Sequence, residues 1–370
     1  MTANILEKPI IIMSFDRPKY LERLCASLKA QQGMGLDESN IHLFQDGAVS
    51  PRSKLEYTSV DKIQACIETF KAAFPGGKVH ASPDNLGIAL NFHRAESLAF
   101  AELKADCAYF FEDDLELGPL YIAALERIYE QVRSRSDVAY FAAYGTHMQS
   151  SDAAAPKIVP LEHHWGFGLM RSAWLKMQPW LQPFYAIYGK CDYKWRPHVA
   201  IVEEYLKKDV AHHQTSQDVA KTLACSSLGF ARVNTDVSYA RYIGAQGQSF
   251  DESKFKELGF DRMSVVEHLP AGALAIDDAI IKAIGKEQRD RHTAFRRNNL
   301  EGTLAEMRKR HFNPEAIITR EQVEAIWQMI MDRLPEEAVY ESNVGQRSVR
   351  EFRTALLRSQ EARGKSGYMA

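Results

Sequence analysis

The chain has 370 residues, enough for one large or two moderate domains with a real apolar core. A hydrophobic fraction of 45%, a charged fraction of 25% and a formal net charge of −2 describe an ordinary globular protein, and near-neutrality argues against nucleic acid as the main partner. Five cysteines (Cys25, Cys66, Cys107, Cys191, Cys225) are scattered and form no C-x-x-C pair, which fits reduced buried thiols better than disulfides or a zinc site. Met1 to Lys8 lacks the apolar core of a signal peptide, and no apolar run reaches membrane-spanning length. The expectation is a cytoplasmic protein, with peripheral contact at the inner face of the membrane as the further option.

In chain order, Pro9 to Ser14 reads as a buried first strand, with Asp16, Arg17 and then Pro18 at a first helical position. Tyr20, Leu21, Leu24 and Leu28 give the following helix an apolar face. Ile41 to Phe44 is a second strand ending in Gln45-Asp46-Gly47, and a helix from Val60 to Phe74 stops at Pro75-Gly76-Gly77. Lys78 to Ala81 is a short third strand, and a helix from Ala89 to Leu103 leads to the strand Cys107 to Phe111. This alternation predicts an α/β fold of Rossmann type, with a parallel sheet, helices on both faces, and strand-end turns that converge on one edge.

Glu112, Asp113 and Asp114 close that last apolar strand. Repulsion and desolvation oppose keeping three such carboxylates ionised, and a divalent cation removes the cost. Hard oxygen ligands suit Mn²⁺ or Mg²⁺ held by one or two carboxylates plus substrate phosphates, at the strand ends where α/β folds collect ligands. The plain alternative is a solvated acidic turn before the helix that begins near Gly118-Pro119.

Further along, Val138 to Tyr144 reads as a strand, Ser150 to Pro160 as a loop, and Trp165 to Met170 as a strand entering a helix from Ala173 to Met177. Glycines and aromatics between Trp165 and Trp195 suit a binding face built on loops. Beyond Ser264 helical patterns take over, with capping boxes expected at Thr319-x-x-Gln322 and Ser348-x-x-Glu351. The expected division is residues 1–263 as a catalytic domain and 264–370 as a helical region.

The order of motifs resembles the inverting, metal-dependent GT-A glycosyltransferases, most closely the N-acetylglucosaminyltransferase I family. The segments are Ile12-Met13-Ser14-Phe15-Asp16-Arg17, Gln45-Asp46-Gly47, Leu90-Asn91-Phe92-His93-Arg94, Phe111-Glu112-Asp113-Asp114-Leu115-Glu116, Trp165-Gly166-Phe167-Gly168-Leu169-Met170 and Gly247-Gln248-Ser249-Phe250-Asp251. The resemblance covers roughly residues 9 to 260. The resemblance implies a nucleotide contact at Arg17, uracil contact at Asp46, base contact at His93, and a loop bearing Gly247 and Ser249 that closes over the donor. The chain departs from the family in offering one acid, Asp192, where the family has two adjacent acids near its base.

On this footing Asp114 is the expected metal ligand, with Glu112 and Asp113 holding the ribose or base and metal-bound waters. Arg17 pairs with phosphate or reads the base edge. Asp192 is the expected general base among Tyr188, Tyr193 and Trp195, with Glu203 and Glu204 in reserve. The pairs His163-His164 and His212-His213 make poor chelates, because adjacent side chains diverge. A basic stretch from Lys282 to Arg310 reads as a solvated helix or as a patch for an anionic acceptor or membrane surface. The expected activity is transfer of a sugar, N-acetylglucosamine foremost, from a UDP-sugar to a glycan, glycolipid or protein acceptor. The alternatives are a nucleotidyltransferase that makes nucleotide sugars, disfavoured by the absence of glycines in Ser14 to Arg17, and an inert sugar-binding protein on the same fold.

Overall fold

The computed structural model describes residues 5–146, 155–245, 252–270, 276–312 and 314–364. The strands that position the site are β1 (Ile10–Ser14), β2 (Ile41–Gln45), β3 (Lys78–Ala81), β4 (Cys107–Glu112), β5 (Leu115–Leu117), β6 (Val138–Phe141), β7 (Ile158–Pro160), β8 (Gly166–Met170), β9 (Ala231–Thr235) and β10 (Ala240–Tyr242). Eight of them form one sheet in the order β3-β2-β1-β4-β8-β6-β9-β7, while β5 and β10 pair as a separate two-stranded ribbon. The strands from β3 to β4 run parallel, and every residue of β1 and β2 is buried, as helices on both faces require.

The expected α/β architecture, a mainly parallel sheet with helices and a helical C-terminal region, is the one found. It is not wholly parallel. Strand β8 lies antiparallel between β4 and β6, and β7 is antiparallel to β9. Side-chain alternation cannot reveal strand direction, which is why the sequence is silent here. Glycines make room for β8: a Cβ on Gly168 would lie 2.2 Å from Cζ of Phe141, and one on Gly166 would lie 2.4 Å from Cδ2 of Leu115.

Helix α1 (Pro18–Lys29) begins at the expected proline and buries Leu21, Leu24, Cys25 and Leu28. Helices α2 (Val60–Ala73) and α3 (Ile88–Ser97) match the expected spans, α3 continuing as a π-helical turn over Leu98–Glu102. After α4 (Tyr121–Val132), helix α5 (Arg171–Tyr188) runs eleven residues past the expected stop at Met177. It passes through Pro179 and Pro183, which lie off the buried face formed by Leu181, Phe184, Tyr185 and Tyr188. The exposed position of Pro179 lets water take the carbonyl that its missing N–H leaves open.

Helices α6 (His198–Tyr205) and α7 (Gln217–Leu228) follow. Helix α8 (Asp278–Asn298) and α9 (Leu300–Phe312) then pack on the sheet side, contributing Ile281, Ile284, Leu300 and Leu304 to the same apolar core as the strands. Gln288 of α8 brackets β9, accepting from the Arg232 N–H at 3.1 Å and donating to the Arg232 carbonyl at 2.9 Å. The main core therefore runs past residue 264, where the sequence changes character, as far as Leu304.

A second core of Ile318, Val323, Met331, Tyr340, Phe352 and Leu356 belongs to α10 (Arg320–Met331), α11 (Glu337–Asn343), α12 (Val349–Arg358) and the turn before α10. Both expected capping boxes form, at Thr319 with Gln322 and at Ser348 with Glu351. Among the described residues no helix is long and apolar enough to cross a membrane. All five cysteines are free, and only Cys191 is less than fully buried.

Candidate active site

The parallel strands β3, β2, β1 and β4 all deliver their carboxyl ends to one edge. The acidic triplet sits there, Glu112 as the last residue of β4 and Asp113-Asp114 in the turn to β5. The register places Met13 of β1 beside Glu112, so the loop after β1 brings Arg17 over the triplet. Its guanidinium bonds Asp113 through Nη2 and Nε and pairs with Asp114 through Nη1 at 2.9 Å.

One arginine cannot balance this cluster. Asp113 is 2% exposed, and burial, opposed by Arg17, pushes its carboxyl up to about 7. Burial and then the charges of Asp114 and Asp218 push Glu112 well above the usual range. Burial works against the Arg17 charge, yet the two aspartates hold its pKa above the ordinary value. Asp114 Oδ1 is buried with no hydrogen-bond partner, while Oδ2 takes Arg17 and a 3.4 Å bond from the Tyr242 hydroxyl. Among the described residues no three acidic, histidine or cysteine side chains surround one point as a complete metal cage. An excess of negative charge with one open carboxylate oxygen fits a cation that draws its remaining ligands from substrate and water.

The β5–β10 ribbon supports this corner. The Ile243 N–H donates to the Asp114 carbonyl at 2.8 Å, and Tyr242 stacks on Trp165 with centroids 4.3 Å apart. Gly247 and Ser249 lie outside the described residues. Gly244 is inside them, and a Cβ there would come within 2.8 Å of Asp114 Oδ2, so the root of that segment touches the triplet.

Asp46, at the end of β2, is 5% exposed and spends its carboxylate on backbone. Oδ1 accepts from Gly47 and Leu86, and Oδ2 from Gly87, at 2.8 to 3.0 Å. This fastens the 84–87 loop beside the sheet edge, with Gly87 at φ +75° supplying a left-handed turn that only glycine adopts freely. Burial pushes the Asp46 carboxyl up to about 6, the three N–H donors offsetting this in part. Because the folded form holds the proton more tightly, Asp46 favours folding below its ordinary pKa and loses that contribution as pH rises through about 6. Asp46→Asn should flatten this segment of the stability curve. Melting temperatures of both proteins between pH 4 and pH 7 check it, and parallel curves would exclude Asp46 as the titrating group.

His93 stacks on Tyr185 of α5 with centroids 4.2 Å apart, and its neighbours in charge are Glu96 and Lys221. Arg94, one residue on, turns to β2 and β3, donating to the His80 and Gln45 carbonyls and acting on Asp46 by its charge.

Asp192 is 8% exposed and held by three hydroxyls: Ser50 at 2.5 Å, Tyr57 at 2.8 Å, and Ser53. It ties the loop after β2 to the segment after α5. Glu203 pairs with Arg308, and Glu204 with Lys207 and Lys208. The half-buried Asp218, in the first turn of α7, was not singled out from the sequence. It makes no hydrogen bond or ion pair among the described residues, and its charge reaches Glu112 and Tyr193. Thr215-Ser216-Gln217-Asp218 reads as an ordinary helix start, so only the fold marks this acid out.

The histidine pairs differ: His163 stacks on Trp165 while His164 turns to Tyr140 and Phe167, as the expected divergence requires, but the rings of His212 and His213 lie together against Phe295, centroids 4.2 Å apart, contrary to it. Much of the basic stretch is spent internally. Arg289 pairs with Asp209, Arg291 with Glu162 and Arg308 with Glu203, while Arg296 donates to the carbonyls of Leu206 and Lys208.

No protein-family model and no curated protein matches the chain. Solved structures do resemble it distantly. S. aureus TarS 1-349 shares 13% identity, with 90% of this chain and 82% of that chain covered, at a TM-score of 0.38. The same protein in complex with UDP-GlcNAc gives 11% identity, 90% and 83% coverage, and a TM-score of 0.39. Glucosyl-3-phosphoglycerate synthase from Mycobacterium tuberculosis, solved with Mn²⁺, UDP and phosphoglyceric acid, gives 11% identity, 47% and 58% coverage, and a TM-score of 0.29. Likeness at this level carries neither activity nor ligand across.

Proposed function

We propose that the chain is a metal-dependent, inverting glycosyltransferase of GT-A type, moving a sugar, N-acetylglucosamine foremost, from a UDP-sugar to an acceptor hydroxyl. The observation that supports it is the carboxylate cluster at the ends of parallel strands. It is bridged by Arg17, carries an open buried oxygen on Asp114, and feels the charge of Asp218, a carboxylate without a hydrogen bond or ion pair among the described residues.

The reaction breaks the bond from the anomeric carbon to the diphosphate oxygen and forms one to the acceptor oxygen on the opposite face. The acceptor proton passes to a carboxylate. Asp218 is the base in this reading because its oxygens are uncommitted, whereas Asp192 is clasped by three hydroxyls. Asp192 is kept as the rival candidate, in the same neighbourhood through Tyr193. Arg17 is placed to meet the diphosphate, with Glu112 and Asp113 on the ribose and water side. Asp46 acts through the loop it fastens, and His93 from the helix behind the base. Asp114 would hold Mn²⁺ or Mg²⁺, which supplies charge that offsets the negative charge growing on the leaving group. Gly247 and Ser249 are assigned to donor closure, and the helical region 264–370 to the acceptor (glycan, glycolipid or protein), a membrane surface or assembly. The reading places the protein in the cytoplasm.

The test is a thermal-shift screen of the full chain against UDP and UDP-sugars, with and without Mn²⁺. A ligand at 100 times its dissociation constant adds about 2.7 kcal/mol to native stability, a shift of several degrees. Stabilisation by UDP-N-acetylglucosamine that needs the metal is the expected result, and NMR of the product's anomeric configuration checks inversion. Indifference to every UDP-sugar at millimolar concentration sinks the proposal.

A further inference from the structure

Arg232, in the middle of β9, is 1% exposed and is the largest fully buried side chain of the described residues. Its backbone is satisfied by Gln288 and Leu161. Its side chain is not: Nε and Nη1 have no hydrogen-bond partner, and the guanidinium joins no ion pair among the described residues. A guanidinium cannot escape by deprotonating, so a full positive charge stays in the interior.

Two more orphans lie beside it. Tyr140 of β6 is the cross-strand partner of Arg232, so both side chains leave the same face of the sheet. Its hydroxyl is buried without a partner. His164 stands edge-on to Tyr140, ring centroids 4.8 Å apart, and its Nε2 is likewise buried and unpartnered. The nearby carboxylates are already committed. Glu96 takes Lys221 at 2.6 Å and the Trp174 indole at 3.2 Å, and Glu162 takes Arg291 at the surface. None of these orphan atoms bonds another, and the described residues supply no acceptor for them.

We propose that Arg232, Tyr140 and His164 form a buried binding site for a small monovalent anion of the chloride class. One uncompensated charge calls for one negative charge, and three groups able to donate call for an acceptor without protons of its own. A single positive charge favours a monovalent ion over phosphate, which would bring surplus negative charge into the interior. The site is separate from the acidic edge and would serve the native state whatever the donor chemistry proves to be.

The full chain in gluconate buffer, titrated with sodium chloride or bromide at constant ionic strength, tests this. The expected result is a saturable rise in melting temperature of several degrees for both halides. Arg232→Met, which removes the charge at similar volume, should keep the native circular dichroism and lose the halide response. If that variant does not fold, Tyr140→Phe should fold and weaken the halide midpoint several-fold. A bromide-soaked crystal should show an anomalous peak within hydrogen-bond distance of Arg232. Halide-independent melting, an unchanged response in the variants, or a water in place of bromide each overturns the assignment.

Discussion

Asp114→Asn is expected to abolish metal-dependent donor binding and to lower turnover by about 100-fold or more, the scale seen when one electrostatic stabiliser of a leaving group is removed. The substitution keeps the shape of a side chain whose Oδ1 has no partner and whose Oδ2 meets Arg17 and Tyr242. It removes one charge from a crowded set, so the metal-free variant should melt no lower than about a degree or two below wild type. Calorimetric titration of Mn²⁺ in the presence of UDP reads binding directly, independent of any acceptor. Equal Mn²⁺ affinity in the two proteins would exclude Asp114 as the ligand.

The next largest effect is expected at Asp218. Replacing a general base by its amide typically costs about 10²- to 10⁴-fold in kcat and leaves donor KM near its starting value, because the group acts only in the transition state. Asp192→Asn should behave otherwise. Its carboxylate accepts from Ser50, Ser53 and Tyr57. The amide cannot accept at all three positions, so melting temperature should fall while kcat holds. Steady-state kinetics and melting curves of both variants decide between them. A collapse of kcat in the Asp192 variant with Asp218→Asn active would return the role to Asp192.

The parallel half of the sheet was legible because β1, β2 and β4 are short, buried, largely apolar runs closed by polar turns, while the more exposed β3 is marked by the Pro75-Gly76-Gly77 stop before it, and because caps such as Ser348 with Glu351 are local. The acidic triplet was legible for the same reason: three charges after five apolar residues have no packing explanation. What depended on distant segments was hidden. The reversed β8 rests on Gly166 and Gly168 meeting Leu115 and Phe141, the depth of the main core on Gln288 reaching β9, and the prominence of Asp218 on where α7 happens to begin. Asp192 drew notice from its aromatic neighbours in sequence. Its hydroxyl partners lie more than a hundred positions upstream, which no local pattern reports.

The separate core built by Ile318, Val323, Met331, Tyr340, Phe352 and Leu356 has an evolutionary consequence. Mutations that loosen or reshape it leave the packing under the sheet untouched, because the two clusters share no residue. Recombination can therefore exchange the helices after α9 for unrelated ones without reopening the carboxylate edge. Lineages that carry this sheet should then diverge fastest beyond Phe312, each keeping the same strand-end acids while presenting a different surface to the rest of the cell.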